Sequence, residues 1–225
     1  DLIFPQHENE IAQSECANGK PFARYWLHNG FLTIDKVKMS KSLGNFFTTR
    51  EVAEKYGYEP IRFLMIAAHY RSPINYSMES ILQAKASLER LYTCRDNLDF
   101  AISRAGNIPL PQEEEAAKTF AAREQQFIDA MDDDMNTADA IAALFDLARD
   151  LSNLIGGVNN GTAIPSKSII EQGIQVFDRL TGVLGLVYNR KASDMDAQVE
   201  ALIEARQAAR QAKDFAKADS IRDQL

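Results

Sequence analysis

The chain has 225 residues, 25 Lys plus Arg against 32 Asp plus Glu, a formal charge of −7 and 45% apolar residues. That composition is ordinary for a globular chain and excludes collagen-like and low-complexity classes; no run of eighteen apolar residues could span a membrane, and the acids and proline of residues 1–10 are not a secretory leader. Two cysteines, Cys16 and Cys94, cannot build a disulfide framework, so a reducing, cytoplasmic setting is expected.

Asp1-Leu2-Ile3-Phe4-Pro5 reads as the end of a buried strand, and residues 7–16 as the helix that follows. Tyr25-Trp26-Leu27 and Phe31-Leu32-Thr33 read as short strands joined by the hairpin dipeptide Asn29-Gly30. Residues 36–45 form a polar loop. Short helices are predicted from Thr49 and from Glu59-Pro60, where proline suits a first turn. Ser77 is the expected N-cap of a long helix in which Ile81, Ala84, Leu88, Leu91, Leu98 and Ile102 recur at helical spacing, with Arg95 in the one missed slot. Gly106 to Pro109 ends it. Helices follow at about 112–131, 137–155, 165–184 and 196–212, with a last one from about 215. Gly156-Gly157 and Asn159-Asn160-Gly161 read as a loop, and residues 189–194 as a polar linker.

The fold expected is mainly α: a small α/β piece, then a helical bundle, then a helical hairpin. One buried strand and one hairpin in about forty residues cannot enclose a layered core, which predicts that the α/β piece is the C-terminal remnant of a larger domain.

Charge is uneven. Residues 1–75 carry nine basic and eight acidic side chains, whereas residues 112–150 carry eleven acids and three bases. An acidic chain is not the footprint of a non-specific nucleic-acid binder. Two local basic groups depart from this: Lys36, Lys38 and Lys41, and the C-terminal set Arg206, Arg210, Lys213, Lys217 and Arg222.

The stretch richest in chemistry is Lys38-Met39-Ser40-Lys41-Ser42, followed by Leu43-Gly44-Asn45. Two ammonium groups, two hydroxyls and a glycine make a loop able to close on a triphosphate, with lysines as point charges where negative charge builds and hydroxyls and N–H groups donating to phosphate oxygens. From loop composition alone a solvated basic turn is the commoner outcome. The specified pentapeptide reverses that balance, because it should arise by accident in only about one chain in ten thousand of this size.

Two further groups have plain structural alternatives. Gln6, His7 and Glu10 lie three and four residues apart on one helical face, where imidazole and carboxylate are sound zinc ligands; by spacing alone a solvated helix start is commoner. Arg210 and Asp219, with Phe215 between them, could read guanine, accept from a cytosine amino group and stack on an unpaired base, or could pair with neighbouring charges and fill a hairpin core. The run Asp132-Asp133-Asp134 tempts a metal reading, but consecutive helical positions splay by about 100°, and capping of the next helix by Asn136 or Thr137 is the better account. His28 and His69 have no partner evident in the sequence.

Lys38 to Ser42 is identical to the KMSKS loop of class I aminoacyl-tRNA synthetases. Asp1 to Ser14, Lys41-Ser42-Leu43-Gly44-Asn45-Phe46-Phe47-Thr48, His69-Tyr70-Arg71-Ser72 and Met131-Asp132-Asp133-Asp134-Met135-Asn136-Thr137 resemble, in order, stretches of the cysteinyl-tRNA synthetase family. The resemblance runs the length of the chain. It implies a Rossmann-like catalytic remnant carrying the loop at 1–48, a stem-contact connecting region at 49–76, a DALR-like tRNA-binding bundle at 77–190 and anticodon-recognition helices at 191–225.

The reaction implied is ATP-dependent attachment of L-cysteine to tRNA(Cys) through a cysteinyl-adenylate, with Mg²⁺ accompanying ATP. Lys41 would be the catalytic lysine and Lys38 its assistant; Met39, Ser40 and Ser42 would complete the ATP-binding loop, with Asp1 near the adenosine ribose. The family's zinc, which holds the substrate sulfur, implies Glu10 as a ligand. Gln6 stands at the histidine position, and the two cysteine ligands would lie upstream. Either His7 takes the histidine's place, or zinc binds weakly, or the site is not functional. Arg210, Phe215 and Asp219 would contact the anticodon. Because the HIGH-type loop belongs to the missing N-terminal half, the chain alone is expected to be inactive. Two other readings compete: a related ligase joining cysteine to an amino-sugar in thiol biosynthesis, and a non-catalytic tRNA-binding module.

Overall fold

The computed structural model describes residues 2–35, 37–38, 48–160 and 165–190, with no side-chain description at 38 and 157–160. The chain divides into two compact units, Asp1–Tyr188 and Asn189–Leu225. Nearly all described residues belong to the first.

The sequence opens with a wide π-helical turn, Ile3–His7, in which the His7 N–H donates to the Leu2 carbonyl at 2.9 Å and the Phe4–Pro5 bond is cis. The strand expected at 1–5 is absent from the described part of that stretch. Helix α1 follows at Glu8–Asn18 and stops at Gly19, whose left-handed φ of 60° closes the cap. None of its residues is buried.

A three-stranded sheet then forms in the order β2-β1-β3, from β1 (Leu32–Ile34), β2 (Val37–Lys38) and β3 (Ile74–Tyr76). β1 pairs antiparallel with β2, Ile34 opposite Val37, and parallel with β3, Leu32 opposite Ile74. This corrects the expected hairpin. Residues 25–27 are not a strand. The reversal sits instead at Asp35, whose φ of 47° suits the first position of a tight primed turn. Gly30 serves a different purpose. A Cβ there would collide with the Ser72 carbonyl, so glycine permits close backbone approach.

Helix α2 (Thr49–Tyr56) starts on a capping box, the Thr48 hydroxyl accepting from the Glu51 N–H at 3.2 Å while the Glu51 carboxylate accepts from the Thr48 N–H at 2.6 Å. Helix α3 (Tyr58–Ile66) carries Pro60 in its first turn. Ser77 caps α4 (Met78–Arg104) as its sequence predicts, accepting from the Ser80 N–H at 3.0 Å. Helices α5 (Glu113–Asp132), α6 (Thr137–Asn160) and α7 (Lys167–Leu184) complete the bundle. The loop expected at Gly156-Gly157 is helical instead. A glycine costs a helix only about 1 kcal/mol relative to alanine, and burial of Ile155 in the preceding turn outweighs that.

One core serves α3 to α7. Leu91 and Leu98 of α4, Phe120 of α5, Leu144 and Leu151 of α6 and Phe177 of α7 lie at its centre, each at most 1% exposed. Polar links stitch its rim. Arg95, 7% exposed in the missed slot of α4, pairs with Asp99 and reaches Asp178 of α7 at 2.7 Å. Arg123 of α5 meets Asp150 of α6 at 2.8 Å. Glu59 of α3 is buried and accepts from the Tyr92 hydroxyl at 2.7 Å and from the Val187 N–H. Glu113 of α5 accepts from both the N–H and the hydroxyl of Ser166, at 2.7 and 2.6 Å, fixing the entry to α7. No described helix is long and apolar enough to cross a membrane.

Candidate functional site

Two groups of the expected site residues fall on opposite sides of what the structure describes. Asp1, Met39, Ser40, Lys41, Ser42, Arg210, Phe215 and Asp219 lie outside the described residues. Lys38 ends β2, so the backbone that leads into the twin-lysine motif is placed on the three-stranded sheet.

Gln6, His7 and Glu10 are described. Gln6 and Glu10 are exposed, whereas His7 is half-buried. The His7 ring packs 5.1 Å from Trp26 and 5.0 Å from His28, centroid to centroid, and Trp26 lies nearly parallel to His28 at 6.2 Å. Sequence reasoning does not single out Trp26 and His28 as a pair. Their spacing of two in an extended segment, which sets both side chains on one side, is the signal that could have found them.

The Nδ1 atoms of His7 and His28 are both buried and have no hydrogen-bond partner among the described residues. Desolvation first, then the neighbouring His7 imidazole and Arg71, hold the His28 pKa below the ordinary histidine value. Among the described residues no group of three His, Cys, Asp or Glu side chains is arranged to hold a metal. His7 turns, tilted, to the Trp26 and His28 rings, and the three candidates supply an incomplete donor set. Cys94 is buried and Cys16 is exposed.

A second polar group was legible only as fragments. His69, Tyr70 and Arg71 follow α3, and Asp134 sits in the turn between α5 and α6. The Tyr70 hydroxyl donates to Asp134 Oδ1 at 2.7 Å, Arg71 Nε approaches Asp134 Oδ2 at 2.7 Å, and His69 Nε2 lies 3.7 Å from the same oxygen. Bonds from Tyr70 and Arg71 hold the Asp134 carboxyl below the usual carboxylate range. His69 thus has the neighbour that the sequence did not reveal. The acid run proves to be a helix end: Asp134 and Met135 both adopt left-handed φ, 55° and 53°, and the Asn136 side chain caps α6 by accepting from the Asp139 N–H at 3.2 Å.

The 69–73 segment in turn seats the sheet. The Gly30 N–H donates to the Tyr70 carbonyl and the Ile74 N–H to the Phe31 carbonyl, both at 2.8 Å. Beside this seam lies a cavity of about 260 Å³ lined by Gly30, Phe31, Met65, Tyr70 and Ile74.

Comparison with known proteins gives this arrangement a lineage. Residues 1–86 match a family model for the class I (C) tRNA synthetase catalytic domain, residues 126–188 one for the DALR domain, and residues 192–225 one for the cysteinyl-tRNA ligase anticodon-binding domain. Over its whole length the chain is 46% identical to the cysteine–tRNA ligase of Clostridioides difficile strain 630 and 47% identical to that of Lachnospira eligens. The chain belongs with the cysteinyl-tRNA synthetases, aligned to their C-terminal part. It spans 47% of the length of each of those two relatives. In fold it resembles LeuRS from Agrobacterium radiobacter K84, solved as a ternary complex with tRNA and LeuAMS, with a TM-score of 0.54 over 68% of this chain and 20% of that one at 21% identity.

Proposed function

We propose that the protein containing this chain attaches L-cysteine to tRNA(Cys) in two steps. Cysteine's carboxylate attacks the α-phosphate of ATP, giving cysteinyl-adenylate and pyrophosphate; the terminal ribose of the tRNA then takes the cysteinyl group and releases AMP. The observation that carries this reading is the Lys38 to Ser42 motif, rooted on β2 within a chain matched end to end by cysteine–tRNA ligases.

In this reading Lys41 stabilises the charge that builds as pyrophosphate departs, and Lys38 assists. Met39, Ser40, Ser42 and Asp1 complete the ATP contacts, with Mg²⁺ on the phosphates. Residues 1–48 are the catalytic remnant, 49–76 the stem-contact connection, 77–190 the tRNA-binding bundle and 191–225 the anticodon reader. Arg210 and Asp219 read base edges while Phe215 stacks. The anticodon-binding match over 192–225 favours this over the amino-sugar ligase, which has no RNA to read.

Zinc remains implied by resemblance. The described donor set does not fit it unaided: Glu10 is exposed, Gln6 offers only an amide, and His7 is engaged with Trp26 and His28.

The test is cysteine-dependent ATP–pyrophosphate exchange by the intact enzyme and its Lys41→Ala variant. Loss of about a hundredfold or more is expected, the scale of removing a pre-organised transition-state contact. An undiminished rate would overturn the reading. The 225-residue chain alone is expected to show no exchange.

A further inference from the structure

The polar group at the α5–α6 turn has a mechanical consequence. A carboxylate of the bundle, Asp134, is held by two consecutive residues, Tyr70 and Arg71, at 2.7 Å each. Tyr70 is also the residue whose carbonyl receives the Gly30 N–H, so one residue faces the bundle with its hydroxyl and the sheet with its backbone. Arg71 Nε approaches the Tyr70 hydroxyl at 3.1 Å, closing a three-membered polar ring that resists rotation of either side chain.

Gly30 packs against the Ser72 carbonyl so closely that a Cβ would not fit between them. Two residues later β1 begins, and β1 pairs through Thr33 and Ile34 with Lys38 and Val37 of β2. The path from Asp134 to the first lysine of the motif therefore crosses one side-chain contact, one backbone hydrogen bond and one short strand pair. Left-handed backbone at both Asp134 and Met135 is uncommon for residues with a Cβ and marks the turn from which the carboxylate meets Tyr70 and Arg71.

We propose that Asp134 is a positioning residue: through Tyr70 and Arg71 it ties the segment seating β1 and β2 to the α5–α6 turn, and so sets the root of the twin-lysine motif against the helical bundle. Its mechanical part stands on the geometry alone, and its consequence for charging rests on the function proposed above. Adenylate formation needs the lysines placed against the catalytic domain. Transfer to tRNA needs in addition that a tRNA held on the bundle and the catalytic centre share one frame.

The mechanical part is tested on this chain by amide hydrogen exchange. Asp134→Ala should speed exchange at Gly30 and at the amides of β1 and β3 by about tenfold or more, while amides in the middle of α4 and α6 keep wild-type protection. Tyr70→Phe, which removes the hydroxyl's bonds to Asp134 and to Arg71 and leaves the ion pair, should give a smaller change at the same amides. Unchanged exchange at Gly30 and β1 in Asp134→Ala would overturn the proposal, as would a uniform rise across α4 and α6.

The functional part is tested in the intact enzyme. Asp134→Ala should lower kcat/KM for tRNA about tenfold, within the range coupling residues give, with ATP–pyrophosphate exchange within about twofold of wild type. Arg71→Ala combined with Asp134→Ala should be no worse than Asp134→Ala alone. Parallel loss of both activities would mark a general structural role and overturn the positioning assignment. A wild-type enzyme with no cysteine-dependent exchange would refute the function reading, while the hydrogen-exchange result would still decide the clasp.

Discussion

In the helical bundle Leu91, Leu98, Leu144 and Leu151 have no exposed surface, whereas in residues 2–37 Phe4 is 79% exposed, Tyr25 84% and Leu27 49%. The bundle also satisfies its polar groups internally: Arg95 on Asp178, Arg123 on Asp150, Glu59 on Tyr92 and Val187, Glu113 on Ser166. The N-terminal segment instead leaves two imidazole nitrogens buried and, among the described residues, unpartnered. Stability therefore resides in different places in the two regions. The bundle is held by its own packing, and the sheet is held by its seam with residues 69–76. Substitutions should separate the two.

The largest effect is expected from Leu144→Ala. The side chain is fully buried in the shared core, and truncation should cost about 2–5 kcal/mol, the sum of lost transfer energy and residual cavity. Thermal or urea unfolding followed by circular dichroism would measure it. Gly173→Ala tests the same region from the opposite direction. A Cβ on that glycine would run into the Leu151 side chain and approach the Phe120 ring at 3.3 Å, so overpacking of about 1–3 kcal/mol is expected. A neutral result at either site would break the contrast, because it would mean that the bundle interior yields as readily as the surface.

Local capping comes next. Ser77→Ala removes the acceptor for the Ser80 N–H and should cost about 1 kcal/mol, whereas Ser77→Gly should cost only a few tenths. The same unfolding experiment ranks the variants against wild type.

These sites also show how far the sequence could be read. Helical spacing located α4 to α7, and Ser77 announced its cap, because such signals need only residues within one or two turns. The misses share a cause. β3 is three residues long and exists because β1, some forty positions earlier in the chain, offers it a parallel partner. Gly30 looked like a turn residue but answers to Ser72, a contact between segments far apart in sequence. His69, Tyr70 and Arg71 acquired a role only when folding brought Asp134 beside them. For the site, residue identity in Lys38 to Ser42 was informative without any structure, while Glu10 and His7 were on the expected face yet turned to different surroundings.

Acid should act on the bundle through Glu113. Burial raises its pKa, but the bonds from Ser166 outweigh that, leaving the folded value below the ordinary one. A depressed folded pKa gives stability that is present above the unfolded glutamate value, near about 4.3, and lost as pH falls through the folded value. Stability should therefore decline as pH is lowered through and below about 4, and Glu113→Gln should flatten that part of the profile. Urea midpoints at neutral pH and below the unfolded glutamate value, for wild type and variant, check it; equal slopes would show that the Ser166 bonds contribute nothing to the charged form.

The smallest effect belongs to the other region. Leu27 is half exposed, sits in the irregular stretch before β1 and has no share in the bundle core. Leu27→Ser removes little buried area, so unfolding of the bundle should shift by no more than about 0.5 kcal/mol. What it should change is the apolar surface contributed with Phe22, Tyr25 and Phe31, each more than 45% exposed. Exposed apolar surface of this kind favours association, so sedimentation of the 225-residue chain over a concentration series should show less self-association in Leu27→Ser and still less in the double variant with Tyr25→Ser. If instead Leu27→Ser destabilised the chain as much as Leu144→Ala, the N-terminal segment would share the cooperative core, and the separation between a self-sufficient bundle and a seam-held sheet would fail.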